Sequence, residues 1–312
     1  MGRKCKAKNV DAQAKDLLQQ LGIQLDAGVY PRVKNGGVIV PDKSPRPHAG
    51  AGDLEIFNAE QRREAEARRA QGRAGPDRPR RSWQPWTPRP GPWATGQAAP
   101  VVGPAFRAAL TPQISALAEH YPDARLWDSE HGAWLLVESS LFHGLRKRAW
   151  FLIGVSYEHA VIRSWAFWVD ALGLPAWIGP RHTNYDDGSI CAFEPADGSW
   201  GFQEGLVQLV DLYTLWAVRH LHLEVFGRWP GPQAVHRPYE RILEIRADEH
   251  CGCGCAKGMY SECCRAQDLG RDLIVDAVEF VCWTRFELRA PPPEVLNFAR
   301  RPRSVEALDH LL

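Results

Sequence analysis

The sequence predicts an α+β protein: an antiparallel β-meander flanked by helices, a small C-terminal cysteine-rich knuckle with a helix, and a largely irregular N-terminal region. Three observations predict this. The β-rich runs AWLLVESSLF, RAWFLIGVSYE and AVIRSWAFWV follow one another across residues 133–169, separated only by the polar breaks HGLRKR and HA, which reads as a meander. A helical apolar stripe precedes them and a longer one follows. Five of the eight cysteines (Cys251, Cys253, Cys255, Cys263, Cys264) fall within residues 251–264.

Residues 1–73 hold a weakly amphipathic stretch, AKDLLQQLGIQL, then the short apolar run GGVIVP, so only a small folded element is expected there. EQRREAEARRAQGR (60–73) has the composition of a solvated helix. Residues 74–104 are too rich in proline and arginine to pack a core and read as a linker, either a plain spacer or a contact segment for nucleic acid or a partner. The main domain is placed at 105–240. Its first helix is expected near Ala105, with Thr111 and Pro112 as a start signal and Leu110, Ile114, Leu117 and Tyr121 as the apolar stripe.

After the meander comes GLPAWIGPRHTNYDDGSICAFEP, punctuated by proline and glycine, the kind of segment that commonly carries function. A long helix is predicted over 203–226, with Leu206, Leu209, Val210, Tyr213, Trp216 and Leu221 on or near one face and Gly227, Pro230 and Gly231 ending it. The cysteine-rich unit spans 241–300. Its helix, about 268–286, is expected to pack Leu273, Ile274, Ala277, Val278 and Val281 on the knuckle, with Cys282 in the core; residues 301–312 are left as a tail.

A net charge of +1 gives no general pull toward nucleic acid or an anionic membrane. No apolar stretch reaches the roughly 20 residues that span a bilayer, and no signal-peptide core follows the amino terminus, so a cytoplasmic protein is expected.

Cys191 stands apart from the clustered cysteines, beside polar turn residues, and is the candidate nucleophile; the alternative is a half-buried strand cysteine acting as a small hydrophobe. The order helix, meander, His182-Thr183-Asn184, Gly188-Ser189-Ile190-Cys191, Trp200, long helix resembles that of ubiquitin-conjugating enzymes (the UBC fold). HTN is similar to their His-Pro-Asn motif with threonine in place of proline, and GSIC to their Gly-x-Ile-Cys. The interval from Asn184 to Cys191 is about one residue shorter than usual and that to Trp200 about one longer. The resemblance covers about 135 residues and implies that Cys191 carries a ubiquitin-like protein as a thioester. It implies Asn184 as the amide donor to the oxyanion of transfer. His182 is implied as a residue that holds the loop or moves a proton. An acidic residue, Asp186 or Asp187, would orient or deprotonate the incoming lysine; Asp-Asp-Gly is also a turn signal. LWAVRHLHLEVFGRWPG further resembles divergent bacterial conjugating enzymes of antiphage operons, including the CBASS type. That implies an adenylating activating enzyme, a ubiquitin-like modifier and a modified target, such as an operon-encoded nucleotidyltransferase, as partners.

HCGCGCAKGMYSECC offers four thiolates on two short arms, which suits tetrahedral zinc in a structural role. Cys251, Cys253, Gly254, Lys257, Tyr260, Cys263 and Cys264 resemble the SEC-C motif, with a loop one residue longer. Cys255 stands where that motif has serine, so it and His250 are alternative ligands to Cys251, Cys253, Cys263 and Cys264. A non-catalytic adaptor built on the same fold is the competing function, and nucleic-acid binding the third.

Overall fold

A computed structural model describes residues 12–29, 31–34, 38–40, 102–139, 142, 145, 147–169, 174–193, 200–235, 237–253, 258–285 and 289–312. The expected helix at 60–73, the linker through residue 101 and Cys255 lie outside them. The described residues form an α+β protein with seven α-helices, a five-stranded antiparallel sheet and a two-stranded ribbon.

Helix α1 (Ala12–Asp26) buries Ala14, Leu18, Leu21, Gly22 and Leu25, and β1 (Arg32–Lys34) pairs antiparallel with β2 (Val38–Val40). Helix α2 (Gly103–His120) begins earlier than the Thr111-Pro112 signal suggests. Pro104 occupies the first turn, where a missing N–H costs nothing, while Pro112 lies inside the helix.

The sheet runs β3 (Arg125–Asp128), β4 (Gly132–Glu138), β5 (Ala149–Ser156), β6 (Ile162–Val169) and β7 (Pro175–Trp177), each strand paired with its sequence neighbour. The three predicted strands are its centre, and two short edge strands complete it. Alternation along the strands sends Ala133, Leu135, Val137, Phe151, Ile153 and Val155 to one face, covered by α1, α2 and helix α3 (Gly205–Phe226). Trp134, Leu136, Leu152, Trp165 and Phe167 go to the other. Gly227 ends α3 in the left-handed conformation at φ 68°, its N–H bonded to Leu223 O, as expected of a glycine stop.

Beyond α3 lie α4 (Pro238–Glu244), a 3₁₀ turn (Tyr260–Glu262), α5 (Arg265–Leu269), α6 (Leu273–Trp283) and α7 (Pro293–Arg300). The helix expected over 268–286 is therefore broken at Gly270. The packing of α6 also reverses the expectation. Leu273, Ile274, Val275, Val278, Cys282 and Trp283 face solvent, and the buried positions are Asp276 and Phe280. The inward face of α6 is set by Phe280 against Tyr185 and Tyr239, and by Asp276 paired with Arg271.

Residues 301–312 do not hang free. Val305 and Leu308 join α7's Val295, Phe298 and Ala299 on the outer sheet face, and Trp134 Nε1 donates to Asp309 Oδ1 at 3.0 Å. The meander is thus the middle of three layers.

Candidate functional site

The HTN and GSIC segments form one small antiparallel hairpin. Thr183 bridges Ile190, Asn184 N donates to Ser189 O (2.8 Å) and Cys191 N donates to His182 O (3.0 Å). Thr183 and Ile190 are buried, and Ile190 N donates to Ser164 O on β6 (2.7 Å), which registers the hairpin on the sheet. Alternation places Asn184, Ser189 and Cys191 on the opposite face from Thr183 and Ile190, with Ser189 itself buried. Asn184 Nδ2 donates to Ser189 Oγ at 2.9 Å, and the exposed Asn184 and half-buried Cys191 are both reachable from solvent.

The turn at 185–188 needs Gly188. Its φ is 64°, and a Cβ there would lie 2.6 Å from the carbonyl carbon of Ala290. Asp187 is committed to this turn. Its Oδ1 accepts from Ser189 N (2.9 Å), its Oδ2 faces Arg163 (3.8 Å) and its carbonyl accepts from the Trp165 indole (2.8 Å). Those contacts favour the turn role over the lysine-orienting one, while Asp186 is exposed. Trp200 packs with Phe193 and Phe202 and donates to Gly205 O, a structural position at the start of α3.

His182 is a fixing residue in this arrangement. Its carbonyl takes the Trp216 indole N–H (3.0 Å) as well as Cys191 N–H, its ring lies 4.0 Å from Trp229, and its Nε2 donates to Gln233 Oε1 at 3.0 Å. Burial, then the neighbouring Arg181 charge, hold the imidazole well below its usual range. It is neutral near pH 7 and a weak base.

The four cysteines Cys251, Cys253, Cys263 and Cys264 come together in the C-terminal unit, all four sulfurs within 4.8 Å of one another. Cys253 and Cys263 are 3.5 Å apart, as are Cys263 and Cys264. Four sulfurs placed tetrahedrally at ~2.3 Å from one ion sit about 3.8 Å from each other, so this set fits a single metal ion. His250 is not among them, because its Nε2 faces the Asp26 carbonyl at the end of α1 (3.3 Å).

No protein-family model, curated protein or solved structure matches this chain. Its chemistry therefore rests on the residues themselves.

Three groups that sequence reading passed over hold the site together. Arg181 and Glu249 form a buried ion pair, 8% and 0% exposed, with Arg181 Nη1 donating to Glu249 Oε1 at 3.0 Å. Gln233 accepts from Arg181 Nη2 (2.8 Å) and gives an amide N–H to His250 O (2.7 Å). Tyr185, directly after Asn184, packs on Phe280 and Trp283 with the Arg289 guanidinium 3.9 Å from its ring centroid, and Arg289 pairs with Glu240 and Glu244. The one available signal was the charge of Arg181 in an otherwise apolar approach to the hairpin.

The thiol cluster makes a pH prediction. Burial, then the hydrogen bond with Cys253, push the Cys264 thiol up to about 12, so at neutral pH the metal-free site keeps a proton that a cation must displace. Protons and cation compete, and occupancy is expected to fall as pH falls. The check is release of metal to a chromogenic chelator between about pH 8 and pH 5. Occupancy that rises on acidification would contradict thiolate ligation.

Among the described residues no helix is long and apolar enough to cross a membrane.

Proposed function

We propose that this chain is a conjugating enzyme for a ubiquitin-like protein, with Cys191 as the thioester-forming residue and a structural zinc ion on Cys251, Cys253, Cys263 and Cys264. One observation carries the reading: the HTN and GSIC segments are zipped into a single hairpin that sets His182 and Asn184 opposite Cys191 and Ser189, after a meander and before a long helix.

The Cys191 thiolate attacks the modifier's C-terminal carbonyl, held as a thioester on an adenylating activating enzyme, and expels that enzyme's thiolate. A lysine amine then attacks the Cys191 thioester. The carbonyl oxygen gains negative charge, the amine loses a proton to water or a nearby base, and the Cys191 thiolate leaves. Asn184 serves the charged oxygen: an amide nitrogen carries two N–H groups, Ser189 Oγ engages one and fixes the amide plane, and the second donates to the oxyanion. His182 positions the loop. In this reading the modifier, the activating enzyme and a lysine-bearing target, such as a nucleotidyltransferase of a bacterial antiphage operon, are the partners.

Asn184→Ala is accordingly expected to slow transfer to lysine by about 10²–10³-fold with little change in thioester formation, as for other single oxyanion donors. Single-turnover discharge of a preformed adduct onto free lysine measures it, and an unchanged discharge rate removes Asn184 from the chemistry.

The alternative, a non-catalytic zinc-containing adaptor, has one observation in its favour: the outward apolar side chains of α6, Ile274 at 78% and Val278 at 58% exposed, suit protein contact. The deciding experiment incubates the protein with an activating enzyme, ATP and candidate modifier and looks for a reductant-sensitive adduct. Its formation supports the enzyme, and its absence with an active modifier system supports the adaptor.

A further inference from the structure

We propose that the cysteine cluster governs the Cys191 hairpin through Glu249: with a cation on the four sulfurs Glu249 clamps Arg181 and, through Gln233, His182, and without it the clamp releases the hairpin. As a statement about regulation of conjugation this rests on the reading of Cys191 as the thioester carrier. As a statement about coupled geometry it does not.

Glu249 has no exposed side-chain surface, and its carboxylate gathers donors from three parts of the chain. Arg181 binds it through both terminal nitrogens, Trp229 N donates to Oε1 at 2.7 Å, and Arg246 N approaches Oε2 at 3.3 Å. Arg181 is the residue before His182, so the guanidinium anchors one strand of the hairpin directly. Gln233 makes a second route, since its Oε1 accepts from both Arg181 and His182 while its amide nitrogen donates to the carbonyl of His250, next to Glu249.

The position of Glu249 depends in turn on the cysteine arms. Tyr260 N donates to Glu249 O (2.7 Å), Ser261 N to Ala247 O (3.0 Å), and Cys251 N to Gly258 O (3.1 Å), while His250 bridges Met259. These bonds tie the strand holding Glu249, Cys251 and Cys253 to the turn holding Cys263 and Cys264. Among the described residues the buried cluster of this unit is small, Val235, Ile245, Cys251 and Tyr260 with the partly buried Cys253, Cys263 and Cys264 against them, so a cation joining the four sulfurs supplies the closure of the two arms. When the arms part, the Tyr260–Glu249 bond goes with them, and the carboxylate is no longer fixed beneath Arg181.

The test is amide hydrogen exchange on the full chain, zinc-loaded, EDTA-stripped and zinc-restored. Exchange at Asn184, Ile190 and Cys191 is expected to speed up about tenfold or more on stripping and to recover on restoration, with Phe151 and Ile153 in the central strand unchanged. Protection of the hairpin that persists while residues 258–264 lose theirs overturns the proposal. Should stripping loosen the central strand as well, Glu249→Gln with its zinc retained decides the matter. It is expected to show the same hairpin exchange with normal protection at 258–264, and unchanged hairpin protection overturns the clamp. Adduct formation on the same samples is read separately: a hairpin that responds to zinc in a protein that never forms an adduct refutes only the conjugation reading.

Discussion

Cys191→Ala is expected to abolish the reductant-sensitive adduct altogether, while Cys282→Ala leaves it unchanged. A thioester carrier needs a sulfur nucleophile, and alanine offers none. Cys191 is half-buried on a solvent-accessible hairpin whose backbone is fixed by its own N–H to His182 O and by Ile190 to the sheet, and none of those bonds involves the sulfur. Removing a partly exposed thiol should cost the fold about 1 kcal/mol or less. Cys282 is exposed on α6, remote in sequence from the hairpin. Non-reducing gels with and without reductant, alongside thermal denaturation, check both halves. An adduct that survives Cys191→Ala in a folded protein moves the nucleophile elsewhere.

Asp268→Ala is expected to lower the stability of the C-terminal unit by about 3–5 kcal/mol, a large part of the 5–15 kcal/mol that holds a typical domain together. Asp268 is 2% exposed and Arg241 8%. The carboxylate takes Arg241 Nε (2.8 Å) and Nη2 (2.7 Å) as well as the Tyr260 hydroxyl (3.1 Å). Alanine would take both carboxylate bonds from a buried guanidinium that also reaches the Val235 carbonyl, and would leave the buried Tyr260 phenol without its carboxylate acceptor. Replacing both charged partners, Arg241→Met with Asp268→Leu, should cost far less, since the uncompensated charge disappears with its partner. Guanidinium denaturation with zinc present measures the three variants. If the single substitution costs no more than the double, the ion pair is not the reason for the loss.

Much of this organisation was legible in the residues. The three apolar runs gave the central strands, Gly227 the end of α3, and the crowding of Cys251, Cys253, Cys263 and Cys264 the cluster that the fold brings together. Edge strands β3 and β7 were not legible, because three or four residues such as RLWD or PAW are too short to display a period of two. The covering of the outer sheet face was legible but missed. Runs such as AWLLV and WAFWV are apolar at every position, which means both faces of those strands are buried, and residues 293–312 are what covers the second. The outward turn of Ile274 and Val278 has no local sign, since an apolar stripe on a helix does not say whether it meets this chain or another. The Arg181–Glu249 pair was beyond reach for a simpler reason: 68 residues separate its members, and no spacing rule links them.

The sequential order of the sheet sets a timetable. Every strand pairs with the one before it, so the meander grows by hairpin closures between neighbouring segments, the kind of contact that forms early and fast. The contacts that lock the Cys191 hairpin and the outer layer, Arg181 to Glu249 and Trp134 to Asp309, close far longer loops of 68 and 175 residues. Refolding should therefore yield a formed sheet before the Cys191 hairpin is locked and before the outer layer closes.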